Sequence, residues 1–431
     1  MRITYITAGA GGMICGSCIR DNALAAELMA QGHDVLLLPM YTPTLTDEAN
    51  VSNHRVFFGG VSVYLEQYLS LFRHTPWLLD RIWDAPWLIR AVSGRGVQTQ
   101  PEQLGDLAVS VLAGSTGHQA KEIDKLVHWL KGEPKPDVVD LSNSMLIGLA
   151  RPIKEALGVP VCCTLQGEDI FLDNLGEPHH TQALDLIRES VDYVDRFLAV
   201  SDYYAEHMCR YLNVPGAKVD VVPLGVNVDG YAPVEAGTAS PGPFTIGHFG
   251  RIAPEKGTHL VCEAFRRIRD RGQHDAMSLR IAGYVGPEHR SYLESIKRQV
   301  KEWGLDSDIT IQETLDREEK LGFLQLLDVL AAPSAYDDPK GLALLEAMSC
   351  GVPVVAPRRG TYTELLERTE GGVLVPPDDF DAFVEALASL AADPDRRAQL
   401  ASNAAAGVRR HYTTARMAES AVAIYGSLTA A

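Results

Sequence analysis

Arg251 and Lys256 share one short turn, G-R-I-A-P-E-K-G, directly after a strand-like run. Two cations at a strand end can hold a diphosphate; a solvated loop of Arg, Lys and Glu is the other reading. Further along, in D-D-P-K-G-L-A-L-L-E-A-M-S-C, Pro339 and Gly341 make a tight loop ahead of a helix from Leu342 to Cys350. The first amides of such a helix are expected to be free to meet an anion. Asp338 and Glu346 stand eight residues apart across that loop and helix. Carboxylates so placed are strong acceptors for paired hydroxyls. Near the start, Gly9, Gly11 and Gly12 follow the first strand and let backbone amides approach an anionic or sugar ligand. The full G-x-G-x-x-G pattern is missing and no acidic residue ends the second strand, so a nicotinamide dinucleotide is a poor fit.

Metal and thiol chemistry find less support. Asp306-Ser307-Asp308 has the spacing of a metal-binding D-x-D but sits in a polar turn, and we expect no metal site there. The seven cysteines include one C-x-x-C, Cys15 to Cys18, with no second pair to complete a zinc site. Cys162 and Cys163 are neighbours, poor geometry for a bridge. Packing thiols are expected, with a redox or metal role as the alternative.

The elements that must position these groups alternate between short β-branched runs and helical stretches, the pattern of parallel sheets covered by helices. Ile3 to Thr7, Val35 to Leu38, Asp137 to Leu141, Val159 to Leu165, Arg196 to Val200 and Val219 to Leu224 read as strands, with a helix over Asn22 to Met29. A Gly- and Pro-rich stretch at 226–243 reads as a linker between a domain at 1–225 and a second at 244–413. The second opens with a strand at Phe244 to Phe249 and a helix at Thr258 to Asp270, and continues with a strand at Ser278 to Ala282 and a helix at Tyr292 to Trp303. The expected fold class is α/β: two Rossmann-like domains facing each other across a cleft at the carboxyl ends of their strands.

With 46% apolar and 22% charged residues in a chain of 431, a large core is available and disorder is excluded for most of the length. Thirty-nine basic against 56 acidic residues give a formal charge of −17, a field that disfavours nucleic acid as a partner. The amino-terminal run lacks the apolar core of a signal peptide and no long apolar span follows, so we expect a cytoplasmic protein. The aromatic residues Tyr64, Tyr68, Phe72, Trp77, Trp83 and Trp87, within 61–95, could contact the inner face of a membrane peripherally or meet a lipid-linked acceptor. An amphipathic excursion packed on the first domain is the alternative.

The chain resembles the retaining glycosyltransferases of the GT-B fold, family 4, over nearly its whole length. The motifs that carry the resemblance are G-R-x-x-x-x-K-G, the E-x7-E helix written here D-P-K-G-L-A-L-L-E, then G-V-P-V-V-A, G-T-Y-T-E-L-L and G-G-V-L-V-P-P-D-D. The resemblance implies that Arg251 and Lys256 bind the diphosphate of a nucleotide sugar, Glu346 its ribose and Asp338 the hydroxyls of the transferred sugar. Lys340, Gly341 and Leu342 would complete the donor site, Glu364 would close it or serve only as a helix N-terminal acid, and Gly11 and Gly12 would line the acceptor side. A last helix at 414–431 would cross back to the first domain.

Three positions depart from the family pattern. Asp338 stands for the usual glutamate, Lys340 for an aromatic residue, and Gln166, in T-L-Q-G-E-D, for a histidine. Glutamine cannot take up a proton, which leaves Gln166 hydrogen bonding to the donor sugar. Glu168 and Asp169, just beyond, are acceptor-side carboxylates or plain turn residues. Retention in this family resembles a same-face exchange in which the leaving diphosphate accepts the acceptor's proton. No cofactor and no metal are expected, since Arg251, Lys256 and helix amides would neutralise the leaving group. The alternatives are a GT-B phosphorylase, a sugar-nucleotide epimerase, or a catalytically silent sugar-nucleotide binder.

Overall fold

The computed structural model describes residues 1–9, 15–53, 55–58, 66–67, 101–231, 243–272 and 277–430. They form two compact units, one of Met1–Pro223 with Met417–Ala431 and one of Leu224–Arg416.

In the first unit six parallel strands run in the order β2-β1-β3-β4-β5-β6. They are β1 (Arg2–Thr7), β2 (Asp34–Pro39), β3 (Val138–Leu141), β4 (Val161–Leu165), β5 (Arg196–Ala199) and β6 (Val219–Val221). The crossovers include α1 (Gly16–Ala30), α2 (Pro101–Leu112), α3 (Ala120–Gly132), α4 (Ala150–Leu157), α5 (Asp169–Asp173), α6 (His179–Ser190) and α7 (Asp202–Leu212). β1, from Ile3 on, and β4 are buried on both faces, as strands of a covered parallel sheet must be. Ile6, Leu141 and Cys163 join one core cluster and Ile3, Tyr5 and Cys162 the other. Alternation along β4 therefore sends Cys162 and Cys163 to opposite sides, both as buried free thiols. The helix read from Asn22 begins earlier, at Gly16, behind a Cys15 that caps with no side-chain hydrogen bond.

The second unit has the order β12-β11-β10-β7-β8-β9, again parallel. Its strands are β7 (Phe244–Phe249), β8 (Met277–Gly283), β9 (Ile309–Glu313), β10 (Val329–Ala331), β11 (Val354–Pro357) and β12 (Gly372–Val375). Around them pack α8 (Thr258–Asp270), α9 (Arg290–Glu302), α10 (Arg317–Gln325), α11 (Leu342–Ser349), α12 (Gly360–Thr369), α13 (Phe380–Ala392) and α14 (Pro394–His411). Numbered within the unit, the order is that of a Rossmann sheet, with its reversal between β7 and β10. Ligands of open α/β sheets bind outside the carboxyl ends of the strands at such a reversal. A final helix, α15 (Thr414–Thr429), carries the chain back to the first unit, where Met417, Ala418, Ala421 and Tyr425 pack on the face holding Ile3, Tyr5 and Leu24.

Candidate active site

The loops that leave β7 and β10 interlock. Gly257 has φ +75°, and a Cβ there would lie 2.4 Å from the Pro333 carbonyl oxygen, so only glycine fits. The Ala335 amide donates to the Glu255 carbonyl at 2.9 Å. Between these loops Lys256 Nζ donates to Asp338 Oδ2 at 2.6 Å and to Tyr336 Oη at 2.5 Å, and lies over the Tyr336 ring.

Asp338 is the hub of the cluster. Its Oδ2 also accepts from Tyr336 Oη (3.0 Å) and Tyr362 Oη (3.2 Å), and its Oδ1 from the amides of Lys340 (2.9 Å) and Gly341 (3.1 Å). Burial alone would raise this carboxyl, but the Lys256 charge and hydrogen bond, with the two amides, hold it well below the usual carboxylate range. Burial and the neighbouring carboxylate push both phenols up, so they stay protonated donors. The amides of the two residues just ahead of α11 are thus taken by Asp338. Gly341, at φ +66°, sits against Leu365, and Leu342 opens the helix half-buried. Neither Tyr336 nor Tyr362 was singled out in the sequence, where a lone Tyr carries no signal.

Not every expected residue joins this cluster. Arg251 is exposed and pairs with Glu255 at 2.5 Å, one turn away. Glu346, on the second turn of α11, is buried and meets Lys320 Nζ of α10 at 2.5 Å and Tyr231 Oη at 3.4 Å. Lys320 was missed. The capping box of Asp316 and Glu319 before it signals a helix start and says nothing of a distant carboxylate. Glu364 is half-buried on α12, the helix whose first turn rests on Asp338 through Thr361 N and the Asp338 carbonyl (3.0 Å). Asp308, of the D-x-D turn, pairs with Arg269, and no group of three metal-ligating side chains occurs among the described residues.

In the first unit, Gln166 follows β4 and is buried. Its Nε2 donates to the Ser142 carbonyl (2.7 Å) and Asp21 Oδ1 (3.1 Å). Asp21 also accepts from Thr7 Oγ1 (2.7 Å) and Tyr5 Oη (3.0 Å), and Tyr5 takes a hydrogen bond from Arg20. Glu168 turns inward: Oε1 accepts from the Ser144 amide (3.0 Å) and Oε2 from the Gln166 amide (2.7 Å), tying the loops after β3 and β4. Burial raises its carboxyl, against the pull of those amides. Asp169 instead takes Tyr204 Oη at 2.7 Å and His207 Nε2 at 3.1 Å. Gly11 and Gly12, and the aromatic residues of 61–95, lie outside the described residues, as do linker residues 232–242. No described helix is long and apolar enough to cross a membrane.

Residues 235–406 match the family described as glycosyl transferases group 1, and 108–229 match Glycosyltransferase Family 4. The chain is 31% identical, over 79% of its length and 88% of the relative's, to the GDP-mannose-dependent alpha-(1-6)-phosphatidylinositol monomannoside mannosyltransferase of Mycolicibacterium smegmatis. The chain belongs to glycosyltransferase family 4. To the D-inositol 3-phosphate glycosyltransferase of Kribbella flavida this family member is 30% identical across 48% of its own length, and it spans about half, 50%, of that relative. Its fold matches that of sucrose-phosphate synthase from Thermosynechococcus elongatus with a TM-score of 0.73 at 19% identity, covering 100% of this chain and 99% of that one. Anabaena HepE, solved in complex with UDP, follows at 0.69 and 17%, covering 99% and 100%. The fold is therefore that of the GT-B glycosyltransferases, two Rossmann-like units in tandem.

Proposed function

We propose that this glycosyltransferase moves a sugar from a nucleoside diphosphate donor to a hydroxyl acceptor with the anomeric configuration kept. The observation that carries this reading is Lys256, one-fifth exposed at the sheet reversal of the second unit and aimed by Asp338 and Tyr336. An ammonium has three donors; two are spent on those partners and the third is available to a phosphate oxygen. The UDP in the HepE complex and the GDP-mannose in the name of the Mycolicibacterium relative support a nucleoside diphosphate.

In this scheme the bond from the anomeric carbon to the diphosphate oxygen breaks and the acceptor oxygen bonds to the same face of that carbon. The acceptor's proton passes to the departing diphosphate. Lys256, with Arg251 at the rim, stabilises the charge that develops on the leaving group. Glu346, steadied by Lys320, is assigned to the ribose, with Leu342 and Glu364 flanking the donor. Asp338 takes a role other than the sugar contact expected from its motif: it positions Lys256 and the turn at Lys340 and Gly341. Gln166 and Glu168 order the loops on the acceptor side. Catalysis rests on positioning and charge, with no metal or cofactor assigned a step.

A calorimetric panel of UDP, GDP, ADP and their sugars tests the reading. One nucleotide is expected to bind well and to lose at least tenfold in affinity on Lys256→Ala. Unchanged affinity would remove the site assignment. With the matching sugar donor, proton NMR of the product is expected to give the donor's own anomeric configuration.

A further inference from the structure

His248 lies on β7, two residues before Gly250 and nearly fully buried. Its Nδ1 is 2.9 Å from the carbonyl oxygen of Ala331, the last residue of β10. Its Nε2 is 3.1 Å from Oγ1 of Thr258, the first residue of α8, which directly follows Lys256 and Gly257. One ring therefore bridges the two strands at the sheet reversal and reaches the far end of the cationic turn. Ala331 precedes the loop to Asp338, and Thr258 closes the loop that holds Lys256.

We infer that His248 is a positioning residue for the donor site, fixing the spacing of the two loops that place Lys256 and Asp338 through one hydrogen bond donated and one accepted by its ring. The inference rests on the donor reading given above for those loops.

The hydrogen bonds define the state of the ring. A carbonyl oxygen only accepts, so Nδ1 carries the hydrogen; in the neutral imidazole Nε2 is then the acceptor and Thr258 Oγ1 the donor. Burial, with the nearby Lys256 charge, pushes this imidazole down to about 4. It is thus neutral at ordinary pH and holds one tautomer. No aliphatic or phenyl side chain can supply a donor and an acceptor in this arrangement. Without them the Ala331 carbonyl and the Thr258 hydroxyl each lose a buried hydrogen bond, Thr258 keeping its bond to Tyr292. The loops also meet where Gly257 lies against Pro333, where Ala335 bonds Glu255 and through Lys256 itself, so a shift at their roots would pass directly to Lys256. A displacement of about 1 Å there is enough to cost affinity and rate.

The test uses the full chain and calorimetry with UDP, GDP and ADP, each variant measured well below its own melting temperature. His248→Phe removes both hydrogen bonds, and Thr258→Val removes one while keeping shape, so it stands in should the phenylalanine variant fail to fold. Both are expected to weaken the best-bound nucleotide about tenfold, the effect of roughly one lost buried hydrogen bond. His248→Gln, whose amide offers a donor and an acceptor, is expected to restore much of that loss. A purely structural histidine would lower the melting temperature and leave the dissociation constants of these variants unmoved, which would overturn the inference. If Lys256→Ala weakens binding while Thr258→Val binds like the parent, the inference falls and the donor reading stands. If Lys256→Ala has no effect, or none of the three nucleotides binds the parent, the donor reading falls and takes the inference with it.

Discussion

Asp338 and Lys256 were both legible from their motifs, yet what each does depends on neighbours the motif does not contain. Tyr336 is two residues away and Tyr362 twenty-four, and neither spacing announces a shared carboxylate. The shorter aspartate stem suits an acceptor that must sit close to its own following amides while reaching the lysine. Replacing Asp338 by Asn removes the charge that Lys256 faces and leaves two phenols and two amides competing for a single acceptor oxygen. We expect a loss of about 1 to 3 kcal/mol in urea denaturation at neutral pH, toward the lower end of a broken buried pair because Lys256 keeps some contact with water. The sign with pH is definite. A carboxyl held below its unfolded value of 3.8 adds stability above that value and loses it as pH falls further, so the Asn variant should be less acid-sensitive than its parent. Equal acid sensitivity of the two proteins would refute this account of Asp338.

At the scale of elements, alternation exposed most strands, because parallel strands buried on both faces leave β-branched runs that few other structures produce. The start of α1 was hidden because Cys15, Gly16 and Ser17 continue a glycine-rich stretch that reads as turn, and the helix begins without a capping side chain to mark it. The interlocking of the loops after β7 and β10 was also illegible, since it depends on a backbone approach. Gly257 records that approach. Alanine there would require both a positive φ and a methyl carbon 2.4 Å from the Pro333 oxygen. The loops would have to part, at a cost of about 2 kcal/mol or more in stability. Because the same loops carry Lys256 and Asp338, Gly257→Ala should lose nucleotide affinity as well. Gly272→Ala, at a surface turn with φ +63° and open space around it, should cost only the backbone term, about 1 kcal/mol, and bind as before. A Gly257→Ala protein as stable as its parent would mean that the two loops are not held against each other.

The largest scale is the return of the chain. Tyr425, 285 residues from its partner, donates to Asp140 Oδ2 at 2.5 Å in the middle of the first unit's sheet. A last helix crossing back was expected from the family resemblance, but nothing in the sequence tells a buried tyrosine which strand it will meet. Asp140 is fully buried and faces Arg20 and Asp21 of α1, Tyr5 of β1, Cys162 and Thr164 of β4, and Tyr425 itself. Burial pushes its carboxyl up to about 6, against the hydrogen bond from Tyr425 and the charge of Arg20. A carboxyl raised above its unfolded value of 3.8 binds its proton more tightly when folded. Its contribution is therefore fully present below about pH 4 and is lost as pH rises through about 6. Asp140→Asn keeps an acceptor for Tyr425 and removes the charge, so it should flatten the stability profile between about pH 4 and 7 and be the more stable protein at pH 7.5 by about 1 to 3 kcal/mol. Asp21 is raised by burial as well, so the difference between variant and parent, and not the slope of either alone, isolates Asp140. Removing 414–431 acts on the same contact without titration. Met417 and Tyr425 are fully buried, and large side chains contribute roughly 1.5 to 3 kcal/mol each when so placed. Calorimetry of the truncated chain should therefore give a first-unit transition at clearly lower temperature, with the transition of the second unit, whose core clusters contain no residue beyond Tyr412, little changed. Coincident transitions at the parent temperature would mean that α15 does not hold the first unit's sheet.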